Sequence, residues 1–94
     1  MIRAAGDRVQ VSGPMTLDGA TGLLADGAAA LSTPATVFDL AEVTNVDSSS
    51  LAVVFGWVRA GRDRGAEVRV ANVPRDLLSL AEVYGVSELL PVSG

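Results

Sequence analysis

Between Thr36 and Val73 two apolar, strand-like runs bracket one long helix-like run, and few folds accommodate that order. Thr36-Val37-Phe38-Asp39-Leu40 reads as a buried strand, and Ala41 to Val46 as the loop that follows it. Asp47-Ser48 then opens a helix from about Ser49 to Arg64, with Gly65 in the C-cap position. Glu67 to Val73 alternates as a further strand, and Pro74-Arg75-Asp76 starts a last helix that Gly85 stops. A strand, a helix and a second strand in sequence pair in parallel through a crossover.

The N-terminal part adds a hairpin and a weaker helix. Ile2 to Ala5 and Val9 to Val11 are short strands around the turn signal Gly6-Asp7, and Gly13-Pro14 is expected to end the second. Thr16 is a candidate N-cap, with Leu17, Leu24, Ala28 and Leu31 at helical spacing. Gly19, Gly22 and Gly27 each weaken that helix by about 1 kcal/mol relative to Ala, so tertiary packing must hold it. Ser32-Thr33-Pro34 breaks it. The expected fold class is α/β, with an about four-stranded mixed sheet and three helices in the order ββαβαβα. A chain of 94 residues makes one domain, residues 1–94, since a second would leave neither with a workable core. Leu89-Leu90-Pro91 forms a short apolar tail that covers the core.

Composition excludes several function classes. The chain has no His, Cys or Lys, which removes the commonest general base, the thiol nucleophile, the Schiff-base amine and the phosphate-loop lysine together. Ser48, Ser49 and Ser50 have only carboxylates such as Asp47 to take a proton, and these are poor bases near neutral pH. No enzyme is expected, and no cofactor or metal, since no phosphate-loop or calcium-loop spacing occurs. A net charge of −4 opposes binding to nucleic acid or to an anionic membrane surface. With no secretory leader and no apolar run near the ~20 residues of a membrane span, the expected location is the cytoplasm. Any membrane role comes through a partner.

The chemistry concentrates where the first main strand meets the long helix. The loop delivers Asp47 and three hydroxyls to a helix N-terminus, where free N–H groups and the helix dipole favour negative charge. Ordinary capping explains the same residues. The run Phe38-Asp-Leu-x-x-Val-x-x-Val-Asp-Ser-Ser-x-Leu resembles the hallmark of STAS domains, the family shared by anti-sigma-factor antagonists and transporter-associated modules. The hairpin before it and the helix-strand-helix after it also match, so the resemblance covers nearly the whole chain.

The resemblance implies a STAS-like fold and a partner protein. In antagonist members the second hydroxyl after the Asp is the phosphoacceptor, which places that role on Ser49; those members usually carry Gly where this chain has Ser50. Trp57-Val-Arg-Ala-Gly-Arg-Asp-Arg-Gly, Val70-Ala-Asn-Val-Pro and Leu80-Ala-Glu-Val-Tyr-Gly-Val-Ser-Glu-Leu-Leu-Pro look like the small STAS subunit of the Mla-type phospholipid ABC transporter. That implies a partner in the transporter's ATPase, at the inner face of the cell membrane. The antagonist alternative implies an anti-sigma factor kinase.

The helical wheel places a docking surface. Leu51, Val54, Phe55 and Val58 cluster on one face, expected to join Val37, Leu40, Val70, Leu77 and Leu80 in the core. Ser49, Val53, Gly56, Trp57 and Ala60 lie opposite and are also largely apolar. Two readings of Trp57 follow: packing over a neighbouring helix, or an aromatic anchor in a partner-docking strip running from Asp47, Ser48 and Ser49 to Val53 and Trp57.

Overall fold

The computed structural model describes residues 1–93. Strands β1 (Ile2–Ala5) and β2 (Arg8–Met15) form an antiparallel hairpin with Ile2 opposite Val11. Helix α1 (Ala20–Ala29) follows, then β3 (Ala35–Val46), α2 (Ser48–Arg64), β4 (Glu67–Ala71) and α3 (Arg75–Val83). The sheet order is β1-β2-β3-β4, with β3 parallel to both β2 and β4. This is the mixed four-stranded sheet with three helices that the pattern of strands and helices predicts.

Both strands that meet at the helix start run further than expected. β2 does not end at Gly13-Pro14; it continues to Met15, and β3 continues through Ala41–Val46, which read as loop. The two extensions pair with each other, Ser12 opposite Glu42 and Met15 opposite Val46, with register shifts on either side of Ser12-Gly13. Pairing with β1 stops at Val11, so Pro14 lies where β2 has a neighbour on one side only and its missing N–H costs no ladder bond. At the other end, β4 stops at Ala71, where Asn72 takes a positive φ of 53°. Thr16 makes no side-chain cap; a short 3₁₀ turn at Leu17–Gly19 leads into α1 instead.

Alternation builds a one-sided sheet. Val9, Val11 and Met15 of β2, Phe38 and Leu40 of β3, and Val68 and Val70 of β4 are buried. Between them Arg8, Gln10, Asp39 and Arg69 carry polar groups on the opposite face. There Asp39 accepts from Asn72 Nδ2 at 3.0 Å and from the Ala41 N–H at 3.0 Å, and pairs with Arg8 at 2.9 Å. The Asn72 bond and then the Ala41 N–H hold the Asp39 carboxyl below its ordinary pKa, with burial opposing them and the Arg8 guanidinium adding to the lowering.

The orientation of α2 overturns the wheel assignment. Its buried residues are Ser50, Leu51, Val53, Val54, Trp57 and Gly61, whereas Phe55 and Val58 are only half-buried. Val53 and Trp57, expected on an exposed docking strip, are 2% and 0% exposed, so neither offers a surface to a partner. The Trp57 ring stacks on Phe38 of β3, with centroids 4.1 Å apart and planes within 6°. Its Nε1–H donates to the Leu23 carbonyl of α1 at 3.1 Å. Gly27 of α1 faces the indole, and a Cβ there would collide with it. α2 is therefore covered by the sheet and by α1 together, which turns its buried sector by about a quarter of the circumference from the expected one. Of the expected core, Leu51, Leu40, Val70 and Leu77 are buried; Val37, Phe55, Val58 and Leu80 are half-exposed. In the tail Leu90 is buried while Leu89 stands in solvent, and Tyr84, at the C-cap of α3, is also exposed.

Two stability predictions follow from these contacts. Trp57→Ala should cost about 3–5 kcal/mol, clearly more than Phe55→Ala, when both are compared by chemical denaturation. Asp39 contributes stability above its ordinary pKa of about 4, and that contribution is lost as pH falls through the lower folded value. Asp39→Asn should then be less stable than the parent at pH 7, with the gap narrowing in melts at pH 3.

Candidate functional site

The loop-to-helix junction is held by reciprocal hydrogen bonds. Asp47, the N-cap of α2 in extended conformation, accepts the Ser49 N–H on Oδ1 at 2.8 Å. Its Oδ2 accepts the Leu17 N–H at 3.1 Å, which ties the head of α2 to the segment leading into α1. Ser50 Oγ accepts the Asp47 N–H at 3.1 Å and donates to the Met15 carbonyl at the end of β2. The Ser50 side chain is fully buried, so both its bonds replace solvent that cannot reach it.

With Asp47 and Ser50 occupied, the adjacent hydroxyls are left for other work. Ser48 is exposed and Ser49 half-buried, and neither side chain makes a hydrogen bond among the described residues. They stand on the first turn of a 17-residue helix whose N-terminal dipole favours an anionic group. The structure thus brings Asp47, Ser48 and Ser49 together and takes Val53 and Trp57 away from them into the core.

What does adjoin the hydroxyls is an apolar hollow missed by the wheel reading. Leu51 and Phe55 of α2, with Tyr84 and Val86 beyond α3, line a cavity of about 220 Å³ that opens beside Ser48. The signal was present in the spacing of Leu51, Phe55 and Val58, but an apolar face looks the same whether it meets a core or a groove. A second hollow of about 410 Å³ runs between α1 and α2 over Leu24, Gly56 and Ala60, where Gly56 leaves room for the Leu24 side chain. Among the described residues no group of acidic side chains could hold a metal ion, and no helix is long and apolar enough to cross a membrane.

Residues 2–91 match the family model described as the Mlab STAS domain, so the chain belongs to the STAS domain family of that type. No curated protein matches it. Solved structures match over nearly its full length. A sulfate transporter family protein from Wolinella succinogenes is 14% identical, with 98% of this chain and 79% of that one covered and a TM-score of 0.71. The anti-sigma factor antagonist SpoIIAA in its unphosphorylated form is 11% identical, with 100% and 87% covered and a TM-score of 0.72. The Bacillus cell fate determinant SpoIIAA in its phosphorylated form is 11% identical, with 100% and 90% covered and a TM-score of 0.68. At these identities the likeness is one of fold.

Removing the buried hydroxyl tests how the junction is held. Ser50→Ala leaves the Asp47 N–H and the Met15 carbonyl without that partner and should cost about 1–3 kcal/mol in urea denaturation.

Proposed function

We propose that this domain is a non-catalytic cytoplasmic subunit that binds and supports the ATPase of a Mla-type phospholipid ABC transporter. The match to the Mlab STAS domain over residues 2–91 carries this reading. The absence of His, Cys and Lys supports a binding role over a catalytic one. The contact residues are the α2 head, Asp47, Ser48 and Ser49: two hydroxyls available to a partner on a turn that Asp47 and Ser50 hold in place. The domain would reach the inner face of the membrane through the ATPase.

A second reading, an anti-sigma-factor antagonist regulated on Ser49, is favoured by the Ser49 hydroxyl itself. It is half-buried, without a hydrogen-bond partner among the described residues, and stands at a helix N-terminus that tolerates phosphate. Such a phosphate would place about −1.5 to −2 charges beside Asp47, at the rim of an apolar contact.

Affinity purification of the tagged chain from its native cells separates the two. An ABC ATPase should co-purify; recovery of a serine kinase with anti-sigma activity in its place would overturn the transporter reading. Ser49→Asp should lower recovery of the ATPase at least tenfold and Ser49→Ala much less. Both variants should melt near the parent, because Asp in the first helical turn is compatible with the dipole.

A further inference from the structure

The face of α2 turned away from α1, which is only half covered beyond the buried Leu51, has a regular pattern. Ser48, Leu51, Phe55, Val58 and Arg62 follow one another at intervals of three, four, three and four residues. That is the spacing of a helix seam, the row of side chains against which a second helix packs. Among the described residues no helix of this chain occupies the row along its length. α3 approaches at the Tyr84 end, and beyond it lie only the 3₁₀ turn at Ser87–Leu89 and the tail.

The row floors a chain of cavities. The hollow beside Ser48 shares Phe55 with the next, which Val58, Arg59, Arg62 and Leu89 complete. That one shares Val58 and Arg62 with a third, ending at Ala66 and Glu67. From Ser48 to Arg62 the helix rises by fourteen residue steps, about 21 Å, or about four turns of a second helix laid alongside. Tyr84 and Leu89, 58% and 67% exposed, form the far wall.

Charge along the groove is asymmetric. Arg59 and Arg62 line its middle and enter no salt bridge, since the described residues form only the pairs Arg8–Asp39 and Arg69–Glu67. They are cations on a chain of net charge −4. Neither Glu82 nor Glu88 lines these cavities, whereas Glu67 does so at the last one, past Arg62. A carboxylate over Arg59 and Arg62 is attracted there and repelled one step further on.

We propose that this groove receives an amphipathic α-helix of the partner protein, with its apolar face on the half-buried Phe55 and Val58 and the exposed Tyr84 and Leu89, over a floor that the buried Leu51 closes, and its carboxylates against Arg59 and Arg62. The proposal rests on the reading that the chain works by binding a protein partner. It adds the shape and charge of the segment bound.

Photo-crosslinking in native cells tests it on the full chain. A benzophenone amino acid is placed at position 55, at position 84, at position 48 and, as control, at position 69 on the open sheet face, and the linked peptides are sequenced. Positions 55 and 84 should link to one segment of a single partner, with apolar residues at three-four spacing and at least one Asp or Glu toward the Arg59–Arg62 end. The exposed pair Arg59→Glu with Arg62→Glu should cut that yield at least tenfold with an unchanged melting temperature. Reversing the partner's carboxylates to Lys should restore it. Linkage to a second copy of this chain, to an apolar segment without acids, or to nothing at positions 55 and 84 would overturn the proposal, as would a yield indifferent to the arginine reversal. An ABC ATPase linked only from position 48 leaves the transporter reading standing and removes the groove. An acidic helix of some other protein linked from 55 and 84 does the opposite.

Discussion

Trp57 is where the layers of the molecule meet. Its ring lies on Phe38 of β3, its indole N–H reaches the Leu23 carbonyl of α1, and Gly27 supplies the space. Taken alone, α1 is a weak helix. It is ten residues long, has no side-chain cap and contains glycines at positions 22 and 27. A helix of that length is marginal on its own in water, so its contact with α2 decides whether it forms. The segment leading into α1 in turn supplies the Leu17 N–H that holds Asp47. The geometry of the α2 head therefore depends on an aromatic stack at the middle of the same helix.

α2 divides its circumference among three tasks. Val53, Val54 and Trp57 bury against the sheet and α1; Gly56 and Ala60 line the hollow shared with α1; Leu51, Phe55 and Val58 border the groove toward α3. A helix used in this way carries no broad polar face, and polar groups gather at its ends. Ser48 and Ser49 occupy one end, Arg62 and Arg64 the other.

Much of the fold was legible because it is written in local signals. Gly6-Asp7 turns the first hairpin, with Gly6 at a φ of 67°, and Gly65 closes α2 at a φ of 75°. Asp47 caps α2 as its position before the apolar run suggests. The extensions of β2 and β3 were not legible, since Glu42, Thr44 and Asn45 are exposed strand residues whose pairing depends on the remote Ser12–Met15 segment. Nor was the rotation of α2. With apolar side chains on several faces, periodicity alone does not distinguish sheet, neighbouring helix and open groove, and the deciding contacts come from Phe38 and Leu23, nineteen and thirty-four positions away in sequence. The candidate site divides on the same line. Asp47, Ser48 and Ser49 were visible as a capping cluster, while the neighbouring groove became visible only once Phe55 proved to be half-buried beside Tyr84.

The Ser50 hydroxyl, engaged with both Asp47 and Met15, has a consequence for the timing of the recognition proposed above. A contact edge whose backbone is fixed before the encounter loses little conformational entropy when it docks. It also requires no rearrangement that would slow association, so collision and charge steering set the on-rate and the quality of the fit sets the lifetime. A helix head built this way keeps one backbone geometry whether or not anything is bound to it.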